Sequence, residues 1–197
     1  MSLDMDAKTK LRDYVADVAQ RVANSDFDAL AAIVQRLLQA KSDGKTVYTV
    51  GNGGSAATAS HTCNDLLKGC RVDDNAGFKA ICLSDSNAIV TCLANDFSYE
   101  DVFSIQLKTF AEKGDVLIAF SGSGNSPNII SALRAAREIG VDAIGFSGRD
   151  GGRMKDLCDL LVIAPSDSME QIEDMHMIYE HAMACSIKDI LSKMQTP

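Results

Sequence analysis

The sequence predicts an α/β protein built on a five-stranded, doubly wound parallel sheet. Five short apolar runs, at 46–50, 78–83, 115–120, 142–146 and 159–163, alternate with helix-forming stretches, the rhythm of a parallel sheet covered on both faces. Two of these runs feed into loops rich in glycine and hydroxyls, Gly51-Asn52-Gly53-Gly54-Ser55 and Ser121-Gly122-Ser123-Gly124-Asn125-Ser126. Strand-to-helix junctions of that composition let the first amides of the helix face an anion.

Residues 3–24 and 27–41 open the chain with apolar positions at helical spacing, and Ser25 or Asp26 is a suitable N-cap between them. They predict a helical hairpin over residues 1–42. The α/β core and a long closing helix, from about Ser168 to Ser192, then occupy 43–197. With 3 prolines and no low-complexity segment, nothing marks an interdomain linker, and one domain over 1–197 is expected.

A formal net charge of -8 argues against general affinity for nucleic acid or anionic lipid, which requires clustered Lys and Arg. The first residues are charged throughout and no run approaches a membrane span, so a cytoplasmic protein with no membrane partner is expected. The 6 cysteines form no Cys-x-x-Cys pair and mostly lie in apolar stretches, which predicts reduced thiols; Cys63 alone falls near candidate chemistry.

The loops point to phosphate but not to a nucleotide. Neither carries the Gly-Lys-Ser or Gly-Lys-Thr of a mononucleotide P-loop, nor the Gly-x-Gly-x-x-Gly of a dinucleotide fold. Both lie at strand carboxyl ends, where open α/β sheets collect ligands, so Asn52, Ser55, Ser121, Ser123 and Ser126 share one rim. The competing reading is two ordinary turns in which glycine relieves strain and serine caps a helix.

The acid–base candidates lie on helices. His61 and Asp65 stand at i and i+4, on one face just after the first loop. On the closing helix Glu173 and His181 are separated by ~80° about the axis, whereas His176 lies ~140° from His181, and His181 is the one assigned to the site. Imidazole and carboxylate groups on two helices can bind a zinc-like ion or act directly as general base and acid. The same spacings also describe surface ion pairs.

Together these residues resemble the sugar isomerase (SIS) domain family, and within it the bacterial phosphoheptose isomerases. The resemblance runs through Gly51-Asn52-Gly53-Gly54-Ser55-Ala56-Ala57 with His61, Ser84-Asp85, Ala94-Asn95-Asp96-Phe97 and Gly114-Asp115-Val116-Leu117-Ile118. It continues through Ser121-Gly122-Ser123-Gly124-Asn125-Ser126-Pro127-Asn128, Gly148-Arg149-Asp150-Gly151-Gly152 and Ile172-Glu173-Asp174-Met175-His176. It implies an SIS fold and a homotetramer with active sites between subunits. It also implies aldose–ketose isomerisation of a phosphorylated sugar, sedoheptulose 7-phosphate to D-glycero-D-manno-heptose 7-phosphate, in heptose biosynthesis such as that for lipopolysaccharide.

By the same resemblance Ser55, Ser121, Ser123 and Ser126 hold the phosphate, Asn52, Gly53, Asp96 and Glu173 bind the sugar, and Asp65 and His181 form the acid–base pair. One zinc ion per site, with no nucleotide cofactor, would take His61, Asp65, Glu173 and His181. The chain departs from the family pattern in three places: Asp65 replaces a glutamate, Glu173 replaces a glutamine, and Gly69 stands where an arginine is usual, with Lys68 and Arg71 nearby. Two other functions fit the resemblance, a non-catalytic SIS protein that binds protein partners, as a replication-initiation regulator does, and a sugar-phosphate sensor. The chemically competent Asp65 and His181 favour the enzyme.

Overall fold

The computed structural model describes residues 3–72 and 76–194. Two helices, α1 (Leu3–Ala23) and α2 (Phe27–Ser42), open the chain as the expected hairpin. Asp26 is the N-cap of α2, its carboxylate accepting the Ala29 N–H at 2.9 Å, while the Ser25 hydroxyl pairs with that of Tyr179. There follow β1 (Thr46–Val50), α3 (Gly54–Asn64), β2 (Lys79–Cys82), α4 (Asn87–Asp96), α5 (Ser104–Phe110) and β3 (Val116–Ser121). The chain continues through α6 (Pro127–Ile139), β4 (Asp142–Gly148), β5 (Leu160–Ala164) and α7 (Met169–Met194).

All four strand pairings are parallel, in the order β2-β1-β3-β4-β5. The order reverses between β1 and β3, and these two strands are the ones that end in the glycine–serine loops. Their register, Thr49↔Ile118 and Val50↔Ala119, brings the loops side by side at the point where ligands bind in such sheets.

Alternation along the strands divides the core into two layers. Val116, Ile118 and Phe120 face α2, α3 and α7 in one cluster, whereas Leu117 and Ala119 face α5 and α6 in the other. β3 is buried at every position, and so reads as a continuous apolar run. The edge strand β2 is largely exposed, with Ile81 open to solvent, and it is shorter than its apolar run suggests.

Helix α7 is locked to the sheet by His176, whose ring packs against Phe120 and Phe146 at centroid distances of 5.9 and 6.0 Å. Its Nε2 lies 3.0 Å from the Ser147 carbonyl oxygen, so that nitrogen carries the proton. Burial lowers its pKa from 6.5 to about 4, which makes His176 a neutral core residue rather than a site group. No helix among the described residues is long and apolar enough to cross a membrane. The six cysteines are free, with Cys70 and Cys82 buried but Cys92 and Cys185 exposed.

Candidate active site

The two loops meet in one cavity of about 280 Å³, lined by Asn52, Gly53, Gly54, Ser55, Ser121, Gly122, Ser123 and Ser126, with Phe120, Met169 and Glu173 completing it. Gly124 makes the second loop possible: its φ is +63°, and a side chain there would overlap the Gly151 carbonyl. The turn closes through the Gly124 N–H to the Ser121 carbonyl at 2.9 Å. Ser121, at the end of β3, and Ser126 place their hydroxyl oxygens 3.3 Å apart. Ser126 is the N-cap of α6 but makes no side-chain cap bond, and Pro127 follows it.

The open N-termini of α3 and α6 both border this cavity. Gly53 precedes α3 with no side-chain cap, so first-turn amides of both helices remain for an anion. No lining residue is basic. Hydroxyls, amides and helix dipoles, with the Glu173 carboxylate, are what this cavity offers a ligand.

The far end of α3 meets α7 in a second cluster. His61 and His181 face each other with Nε2 atoms 2.9 Å apart and ring planes at 82°. Asp65 Oδ2 lies 3.6 Å from His61 Nε2, and Glu180 Oε2 lies 3.6 Å from His181 Nε2 and 4.0 Å from His61 Nε2. Asp65 begins a π-helical turn, Asp65–Gly69, closed by the Cys70 N–H to the Asp65 carbonyl at 2.7 Å. Such widened turns redirect side chains and recur at functional sites.

Glu180 is the residue the sequence reading missed. Its side chain is 2% exposed, its Oε2 has no hydrogen-bond partner, and burial, reinforced by the charge of Asp65, raises its pKa to about 7. One ligand atom from each of His61, Asp65, Glu180 and His181 lies within 4.8 Å of the others. Two imidazole nitrogens and two carboxylates suit a zinc-like ion, and the 2.9 Å nitrogen pair is near the ~3.3 Å that two ~2.05 Å bonds at a tetrahedral angle imply. The orphaned Glu180 oxygen is a further reason to regard the cluster as a fit for a cation.

Glu173, expected among those ligands, is not in the group. It lines the phosphate-type cavity, its carboxylate against Gly54 so closely that a side chain there would overlap it. The reason is axial rise: Glu173 shares the azimuth of Glu180 to within ~20° but sits about 10 Å away along α7. Asp96, expected to bind sugar, is also outside the cavity; it is exposed at the end of α4 and accepts from the Asn95 amide at 2.8 Å. Gly69 stands directly against Asp65, a Cβ there falling 3.2 Å from Oδ1, whereas Lys68 and Arg71 are exposed. The Cys63 thiol has its pKa raised by burial, the opposite of an activated nucleophile.

Residues 11–148 match the family model for the SIS domain. The chain belongs to the SIS domain family. Among its SIS relatives, the phosphoheptose isomerase of Paramagnetospirillum magneticum is 39% identical over 186 residues, 92% of this chain and 96% of that one. The phosphoheptose isomerase of Aliarcobacter butzleri is 42% identical over 147 residues, covering 75% and 77%. The structure of phosphoheptose isomerase GmhA from Neisseria gonorrhoeae superposes with a TM-score of 0.86 at 27% identity, over 95% of this chain and all of that one.

Proposed function

We propose that the chain interconverts sedoheptulose 7-phosphate and D-glycero-D-manno-heptose 7-phosphate. It is a sugar-phosphate isomerase by its relatives; the heptose assignment is our own reading. One observation carries it: α3 and α7 each serve both the cation-free cradle and the carboxylate–imidazole cluster. Ser55 and His61 lie on α3, and Glu173 and His181 lie on α7. The two sites are separated by about 10 Å along α7, a span suited to a long sugar with its phosphate at one end and its reacting carbons at the other.

In this reading Ser55, Ser121, Ser123 and Ser126, with the first amides of α3 and α6, hold the phosphate and so fix the sugar along the groove. Asp65 removes a proton from C1 of the ketose to give an enediol and returns it to C2. His181 takes the O1 proton and delivers a proton to O2, leaving the aldehyde at C1; an imidazole is suited to both tasks near neutral pH. Glu180, buried with its Oε2 3.6 Å from His181 Nε2, sets a carboxylate beside that ring. His61, Asp65, Glu180 and His181 would hold a zinc ion, which when bound would supply Lewis-acid polarisation of the sugar oxygens while making a ligated Asp65 a poorer base.

The assembly proposed is a homotetramer in the cytoplasm with sites between subunits, which gives the exposed Asp96 a site on a neighbouring subunit to reach. Its product would feed heptose-containing surface polysaccharide. Incubating the purified protein with sedoheptulose 7-phosphate and following the aldose by NMR tests the reading, and no conversion with or without added zinc rejects the heptose assignment.

A further inference from the structure

The two glycine–serine junctions are joined by a bond set that neither junction's own motif requires. Asn52, in the first loop, and Asn128, in the first turn of α6, form a reciprocal amide pair. Asn52 Nδ2 donates to Asn128 Oδ1 at 2.8 Å, and Asn128 Nδ2 donates to Asn52 Oδ1 at 2.9 Å. Tyr99, from the turn after α4, donates its hydroxyl to the same Asn52 Oδ1 at 2.9 Å. Asn128 is 1% exposed, whereas Asn52 lines the cavity.

A carboxamide has two acceptor lone pairs and two N–H donors. On Asn52 both lone pairs and one N–H are committed, and the second Nδ2 proton is what remains for a ligand. We propose that Asn128 and Tyr99 are positioning residues that hold the Asn52 carboxamide as a hydrogen-bond donor only, directed at an oxygen of the bound sugar. This rests on the reading of the cavity as a sugar-phosphate site and assigns its polarity at one atom. A fixed donor needs no reorientation when a substrate oxygen settles beside it, so the amide favours an oxygen acceptor at that point of the cavity. A freely flipping amide would present oxygen as often as nitrogen, and its oxygen would repel a substrate oxygen.

The test is a double-mutant cycle with an isosteric control. Tyr99 is exposed and Tyr99→Phe deletes one hydroxyl, so the fold is kept; losing one such bond lowers kcat/KM about tenfold. In an Asn52→Ala background the Tyr99→Phe substitution then has no further effect, because it acts through Asn52. Asn52→Asp, which keeps both acceptor positions and removes the donor, loses as much as Asn52→Ala. Inorganic phosphate stabilises Tyr99→Phe and Asn52→Ala in thermal shift as it does the parent, since the serine loops are untouched, whereas Asn52→Asp adds a negative charge to the cavity and is read by turnover only.

Additive effects of Tyr99→Phe and Asn52→Ala, or near-parental turnover by Asn52→Asp, overturn the positioning role. Absence of turnover in the parent overturns the reaction instead; the same cycle is then read in the extra thermal stabilisation that sedoheptulose 7-phosphate gives over inorganic phosphate. If the sugar adds none in the parent, the positioning role falls as well.

Discussion

Lowering the pH from 7.5 to 5 should weaken the hold of His176 on the sheet, while protonation of Glu180, its pKa raised to about 7, favours the native state in parent and His176 variant alike. The ring is buried between Phe120, Phe146 and the Ser147 carbonyl, with its pKa lowered from 6.5 to about 4. Between those values the unfolded chain binds a proton that native His176 refuses, so the contribution of His176 to stability falls as the pH falls and levels off below about 4. The full loss is about 3 kcal/mol, of which about 2 kcal/mol has appeared by pH 5. His176→Gln keeps a donor for Ser147 but cannot titrate. Urea unfolding of both proteins at matched concentration should show their stability difference narrowing by about 2 kcal/mol in favour of the variant between pH 7.5 and 5. A difference independent of pH would refute the argument, as would a His176 ring signal titrating near 6.5 by NMR.

Three further outcomes follow from the site. Ser121→Ala and Ser126→Ala should each raise KM about tenfold or more, the loss of a hydrogen bond to a charged group, and shrink the thermal shift given by inorganic phosphate. Gly54→Ala places a methyl on the Glu173 carboxylate and should lower kcat/KM by more than tenfold with little change in melting temperature; full activity would show that the Glu173 position is immaterial. Zinc titration should give one ion per chain in the parent, at least tenfold weaker binding in His61→Ala and Glu180→Gln, and unchanged binding in Glu173→Gln, whereas the reverse order for the two glutamates would restore Glu173 as the ligand.

Much of this architecture was legible in the sequence because it is encoded locally. The strands announce themselves as short apolar runs, and both loops fall at strand carboxyl ends, so a shared rim could be anticipated; the pairing of β1 with β3 and the meeting of the loops in one cavity are visible only in the structure. The cap at Asp26 needed only the choice between two adjacent polar residues. Glu180 was missed for a geometric reason: helical azimuth pairs Glu173 with His181, but only the rise along α7 shows that Glu180 occupies the same face two turns nearer the histidines. Its neighbour His181 was the available signal. The π-helical turn at Asp65 and the Asn52–Asn128–Tyr99 bonds depend on packing between distant segments, and no local pattern predicts them. Asp96 carried a family motif but lies outside the cavity formed by one chain.

The most direct test of the account compares the parent protein, Asp65→Asn and His181→Ala with sedoheptulose 7-phosphate, following aldoheptose 7-phosphate by NMR at equal site occupancy. The account predicts conversion by the parent and at least a hundredfold lower turnover in each variant, with phosphate-dependent thermal stabilisation intact in all three. Turnover undiminished in Asp65→Asn, or lost only in parallel with phosphate binding, would contradict the assignment of the reacting groups to the α3–α7 cluster.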